Sequence, residues 1–110
     1  MQITIKGKNL EITDWLRQTV EKKVGRLNRY LPTISEASVE LSTVSAKSAE
    51  DRQVVQLTLR ADRAILRAED RSADILTSLD RVVDKMYRQI ARYRGKRWGR
   101  GRRPRQEAEY

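Results

Sequence analysis

Between residues 75 and 93 the apolar side chains Ile75, Leu79, Val82, Val83, Met86, Ile90 and Tyr93 recur at helical spacing. A stripe of that period commits the segment to an amphipathic helix, which is stable only where another element covers its apolar side. The reading places this helix from about Arg71 to Tyr93. Asp70, Asp74, Asp80 and Asp84 lie toward its start and basic residues toward its end, an order that complements the helix dipole at both termini. Leu16, Val20, Val24, Leu27 and Leu31, spaced by 4, 4, 3 and 4, predict another helix from Asp14 to about Tyr30. Thr13 is a good N-cap for it, Asp14 sits in its first turn, and Pro32 closes it by driving the preceding residue out of helical geometry.

Two one-sided helices need a shared apolar surface, and the remaining segments read as the strands that provide one. Gln2 to Lys6 alternates polar and β-branched residues, and Gly7 is expected to end that strand. Ala37 to Thr43 places Ala37, Val39 and Leu41 on one face; Gln53 to Arg60 does the same with Val55, Leu57 and Leu59. Between them Ser42 to Asp51, rich in Ser, Ala and charge, reads as a mobile loop. Asp62-Arg63 joins the third strand to a fourth, Ile65 to Asp70, with Leu66 and Ala68 inward. The order is βαβββα, an α+β domain of two layers in which one face of a four-stranded sheet carries both helices and the other meets solvent. Residues 1–95 are expected to form this single domain. Residues 96–110 form a basic tail without periodicity, expected to be disordered until it meets a partner.

Charge narrows the partner. The 110-residue chain has 24 Lys and Arg against 15 Asp and Glu, a net charge of +9. From Arg81 to Arg105 there are eleven basic residues against the single acid Asp84, a local charge of +10, so the rest of the chain carries −1. Basic character is thus confined to one region, where it creates a field for polyanions. With no His and no Cys, the usual near-neutral general base, the thiolate nucleophile and the commonest transition-metal ligands are missing. Purely apolar runs such as Ala64-Ile65-Leu66 reach three residues, against the ~18 of a membrane span. No signal-peptide pattern opens the chain, so cytosol or an equivalent compartment such as the plastid stroma is the expected location, with no membrane partner.

On the second helix Arg81, Lys85, Arg88 and Arg92 are spaced by 4, 3 and 4 and form one ridge beside the apolar stripe, continued by Lys96 and Arg97 at the base of the tail. On the first helix Lys22, Arg26 and Arg29 repeat the spacing, with Lys23 adjacent. Side by side, the two rows would make a cationic surface about two turns long. A plain solvated helix face, laced by pairs such as Asp84 with Arg88, is the alternative. Base stacking on a sheet needs aromatic residues on strands, whereas Trp15, Tyr30, Tyr87, Tyr93, Trp98 and Tyr110 all fall elsewhere. Recognition of a folded RNA by shape and phosphate position fits better. Tyr93 closes the apolar stripe and reads as core, leaving Trp98 as the better stacking candidate. The acid pairs Asp70 with Asp74 and Asp80 with Asp84 lack the patterned oxygen ligands of a cation site. No phosphate-cradling glycine loop, nucleophile elbow or other catalytic motif is present, so no enzyme activity, cofactor, metal or small-molecule substrate is expected.

Ile3-Thr4-Ile5-Lys6-Gly7, then Leu10-Glu11-Ile12-Thr13, and above all Asp74-Ile75-Leu76-Thr77-Ser78-Leu79-Asp80-Arg81-Val82-Val83-Asp84-Lys85-Met86-Tyr87-Arg88-Gln89-Ile90, resemble the ribosome hibernation promoting factor and ribosome-associated inhibitor family, over about residues 2–97. The resemblance implies a βαβββα domain bound between head and body of the small ribosomal subunit. There it would contact ribosomal RNA at the decoding region, block messenger and transfer RNA by occupancy, and preserve idle ribosomes under stress. By position, Lys85, Arg88 and Arg92 match the family's RNA-facing residues on the second helix; Lys22, Lys23, Arg26 and Arg29 match the basic part of the first more loosely. Tyr87, Trp15 and the Gly-Arg tail depart from the pattern. Nothing corresponds to the second domain of the family's long forms, so ribosome dimerisation is not expected of the chain as given. The competing readings are a general binder of structured or double-stranded RNA, an assembly subunit whose basic helices meet an acidic protein, and, more remotely, a hydrolase acting on RNA.

Overall fold

The computed structural model describes residues 1–98, so the expectation for the tail from residue 99 onward lies outside the described residues. In chain order the elements are β1 (Gln2–Lys8), α1 (Asp14–Gly25) with a 3₁₀ turn (Arg26–Arg29), β2 (Ile34–Thr43), a short 3₁₀ turn (Ala49–Asp51), β3 (Gln53–Ala61), β4 (Ala64–Ser72) and α2 (Ile75–Trp98). The sheet order is β1-β2-β3-β4; β1 runs parallel to β2, and the other neighbours are antiparallel. This is the expected βαβββα domain.

Register puts Ile3, Ile5, Ala37, Val39, Leu41, Val55, Leu57, Leu59, Leu66 and Ala68 on one face of the sheet. Against that face Leu16, Val20 and Val24 of α1, with Leu27 and Leu31 beyond it, and Leu79, Val82, Met86 and Ile90 of α2 are buried. Each such side chain stabilises the domain by roughly 1.5–3 kcal/mol relative to exposure. Across the sheet's other face run polar rows, Thr4, Ser38, Thr58 and Arg67 beside Lys6, Glu40, Gln56 and Glu69.

Several boundaries differ from the sequence reading, each for a local reason. β1 does not stop at Gly7. It continues to Lys8, and Asn9, at φ 57°, makes the reversal in the left-handed region that Asn tolerates. Folding back brings the Leu10 carbonyl so close that a Cβ on Gly7 would lie 2.6 Å from it, and only glycine fits. β2 begins at Ile34 rather than Ala37. A bulge at Ser35 shifts the register between Ile34 and Glu36, which lets Ile34 and Ala37, out of phase for a regular strand, both face the core. The first helix tightens into a 3₁₀ turn after Gly25 instead of staying α-helical to Tyr30. Thr13 caps it as expected, its hydroxyl accepting from the Leu16 N–H at 3.1 Å.

α2 starts at Ile75, not Arg71. Asp74 caps it, accepting from the Thr77 N–H at 3.0 Å, and β4 extends through Ser72, so Asp70 is a strand residue and not a dipole partner. The buried Ser72 and Ser78 hydroxyls lie 2.7 Å apart, and Ser78 donates to the Gln53 carbonyl at 2.7 Å, tying the helix start to β3. The helix also runs beyond Tyr93: Gly95 continues it, and Lys96 to Trp98, read as the first tail residues, form its last turn. The β3–β4 turn is Asp62-Arg63 as expected, closed by the pair Ala61 and Ala64, with Asp62 at φ 56° doing what glycine would usually do.

Candidate nucleic-acid interface

α2 lies over β3 and β4, α1 lies toward β1, and the helices touch. Lys23 Nζ is 2.7 Å from Asp80 Oδ1, and the rings of Tyr30 and Tyr87 meet edge to face with centroids 4.9 Å apart. Both partners of the second contact stand seven residues beyond those of the first, so the helices run side by side in the same direction. Acids gather at one end, at Asp14, Asp74 and Asp80, and cations at the other. Near that basic end Arg94 Nη1 donates to the Tyr30 carbonyl at 3.0 Å.

The ridge expected on α2 divides in two. Along the flank facing β4, Arg81 donates to the Arg71 carbonyl at 3.4 Å, Lys85 to the Glu69 carbonyl at 2.9 Å, and Gln89 to the Arg67 carbonyl. β4 is the last strand of the sheet, and these alternate carbonyls lie along its free edge. Four residues of helix rise about 6 Å and two of strand about 6.6 Å, so donors spaced by four keep step with carbonyls spaced by two. Lys85 also pairs with Asp70 at 3.3 Å. Burial raises the Asp70 pKa, but the Arg71 N–H at 2.7 Å and the Lys85 ammonium outweigh it and hold the carboxyl below its ordinary range. Glu69 is lowered as well, first by the Gln56 amide at 2.9 Å and then by Arg71 at 3.2 Å.

Arg88 and Arg92, on the same ridge, are exposed and, like Lys22, Arg26 and Arg29 on and just beyond α1, make no hydrogen bond or ion pair among the described residues, although Arg92 lies beside Leu66 of β4. Asp84 and Arg88, the pair a solvated face would favour, do not join. Lys23, by contrast, is spent on Asp80. Lys96 and Arg97 belong to the last turn of α2. Unengaged guanidinium groups on two helices of one layer can each take a phosphate oxygen pair through two N–H groups without first breaking a bond within the protein. On α1, Lys22 in the last turn and Arg26 just past it also offset the negative end of the helix dipole, which would otherwise repel an anion.

Two residues at this surface escape a reading based on charge. Gln89 is the third rung of the edge ladder; its signal is that it continues Arg81 and Lys85 at the next step of four. Tyr30 is 47% exposed between the helices; its signal is an aromatic residue adjacent to Arg29 and four beyond Arg26. Its neighbour Tyr87 is half-buried, and its phenol is raised above its ordinary pKa by that burial, with smaller opposing effects from Arg26 and Arg29. Tyr93 packs against the core as expected and donates to Asp62 Oδ2 at 3.0 Å.

Comparison with known proteins places this geometry. Residues 3–98 match the family described as Sigma 54 modulation protein / S30EA ribosomal protein. The chain is 35% identical over 95 residues to a ribosome hibernation promotion factor of Deinococcus radiodurans, and 40% identical over 96 residues to one of Lactococcus lactis. Each alignment covers 86% of this chain and 50% of the relative, so the chain spans about half the length of the curated relatives it matches. The crystal structure of the Thermus thermophilus Protein Y N-terminal domain superposes with a TM-score of 0.74 at 35% identity, covering 86% of this chain and all of that one. A ribosomal subunit interface protein from Coxiella burnetii, at 20% identity and a TM-score of 0.73, shares the fold. With nearly every described residue inside the matched range, the chain belongs to the Sigma 54 modulation protein / S30EA ribosomal protein family.

Proposed function

We propose that this domain binds folded ribosomal RNA of the small ribosomal subunit through Lys22, Arg26, Arg29, Arg88 and Arg92, and that it restrains translation sterically. Bound at the decoding region, it would stand where messenger and transfer RNA must pass. No bond is made or broken in such a mechanism, only occupancy, and ribosomes would be met in the cytoplasm. The observation that carries the reading is the set of unengaged cations on two co-directional helices of one layer. Relatives named for ribosome hibernation supply the partner. Recognition by phosphate position also fits the sheet, whose strands carry no aromatic side chain on which to stack bases.

Replacing Arg26, Arg29, Arg88 and Arg92 together by Glu tests it. Cosedimentation with purified small subunits should fall by roughly 100-fold or more at low salt, because counterion release from several phosphates is lost at once. The circular dichroism spectrum should not change, since none of the four makes a hydrogen bond or ion pair among the described residues. Undiminished cosedimentation of the folded variant overturns the site. Equal affinity of the unaltered protein for an arbitrary RNA duplex reduces the function to general RNA binding.

A further inference from the structure

We propose that Tyr30 is a stacking platform for one unpaired nucleobase, which makes the surface selective for folded RNA with an extruded base over a plain duplex. The inference rests on the RNA-binding reading above and adds a base contact to its phosphate contacts. Among the described side chains, Tyr30 is the aromatic residue that is both exposed and pinned at the basic end of the two helices. Its N–H bonds to the Leu27 carbonyl at 3.0 Å, its own carbonyl accepts from Arg94 at 3.0 Å, and its ring abuts Tyr87 at 4.9 Å with an interplanar angle of 87°. Despite these ties it remains 47% exposed.

A fixed ring loses little further freedom when a base lands on it, so most of the stacking energy is available for binding. Arg26 and Arg29, four residues and one residue before it in sequence and without hydrogen bonds or ion pairs among the described residues, are placed to hold phosphates next to that base. Trp15 is more exposed, at 61%, but sits in the first turn of α1 beside Asp14, away from the cations. Tyr93 is half-buried and occupied with Asp62, and so offers no such platform.

Two RNA hairpins of equal length and charge, one fully paired and one carrying a single bulged 2-aminopurine, separate the stacking term from the electrostatic one. The expected result is a preference of roughly tenfold for the bulged hairpin, with fluorescence quenching of the bulged base on binding. Tyr30→Leu should abolish both the preference and the quenching while leaving duplex affinity and its salt dependence in place. Tyr30→Trp, which keeps a stacking ring and guards against a variant that simply misfolds, should retain both. Equal binding of the two hairpins by the unaltered protein, or a preference that survives in folded Tyr30→Leu, overturns the inference and leaves the phosphate-binding reading intact. Binding to neither hairpin overturns the inference, and the phosphate-binding reading is then decided by the small-subunit cosedimentation above.

Discussion

The basic residues along one ridge of α2, at the same helical period, fall into two groups, engaged and unengaged. On the β4 side Arg81, Lys85 and Gln89 are drawn onto backbone carbonyls, and Lys85 onto Asp70 as well. Arg88 and Arg92, on the same ridge, make no hydrogen bond or ion pair within the described chain. The free edge of the sheet accounts for the engaged group: where a row of carbonyls lacks a strand partner, a neighbouring row of long donors closes it. Arg81 and Lys85 are held in this way, while Arg88 and Arg92 are unengaged among the described residues. α1 repeats the contrast, with Lys23 taken by Asp80 while Lys22, Arg26 and Arg29 remain unengaged.

The largest effect that would sharpen this contrast is on stability. Lys85→Ala with Gln89→Ala removes two rungs of the ladder, each worth about 0.5–1.5 kcal/mol net of replacement by water. For a domain of this size we expect the melting temperature to fall by several degrees, roughly 4–8 °C per kcal/mol. The uncovered edge should also promote self-association, visible by analytical ultracentrifugation. A double variant that melts with the unaltered protein and stays monomeric would show the ladder to be incidental. Smaller is the effect of Lys23→Ala, which breaks a partly exposed ion pair worth no more than about 1 kcal/mol; thermal melts should move by a few degrees at most and RNA affinity hardly at all. Smallest is the acid dependence. Asp70 and Glu69 have folded pKa values below their ordinary 3.8 and 4.5, so their contribution is present above those values and disappears as pH falls through the lowered ones. Asp70→Asn should therefore flatten the acid limb of a melting-temperature profile below about pH 4 and leave neutral stability nearly unchanged. An identical acid limb in the variant would mean that Lys85 gains nothing from Asp70.

Much of this architecture was legible in the chain. Both apolar stripes named the buried faces, alternation named the inward strand residues, and Thr13 and the Asp62-Arg63 turn stand where local chemistry put them. The misplaced boundaries share a cause, since each depends on a neighbour in space. Ile34 looks out of phase until the Ser35 bulge opposite Arg60 restores it, and Asp70 looks like a helix-dipole acid until β4 is paired along its full length. At the site, spacing alone fixed which cations share a helix face. It could not separate Lys85 from Arg88, three residues apart on one ridge, because the carbonyls that capture Lys85 belong to a strand whose edge position is a property of the assembled sheet. Tyr30 was passed over for the same reason: its fixed, half-open setting is created by Tyr87 and Arg94, far along the chain.

The most direct measurement is the salt dependence of small-subunit binding for two paired variants. Arg88→Ala with Arg92→Ala should reduce the slope of log affinity against log salt by about 1.4–1.8, the value for two phosphate contacts, whereas Arg81→Ala with Lys85→Ala should change it by less than about 0.5. The reverse pattern, with the edge-bound pair carrying the slope and the unengaged pair silent, would contradict the division of labour on α2 and with it the proposed RNA-binding surface.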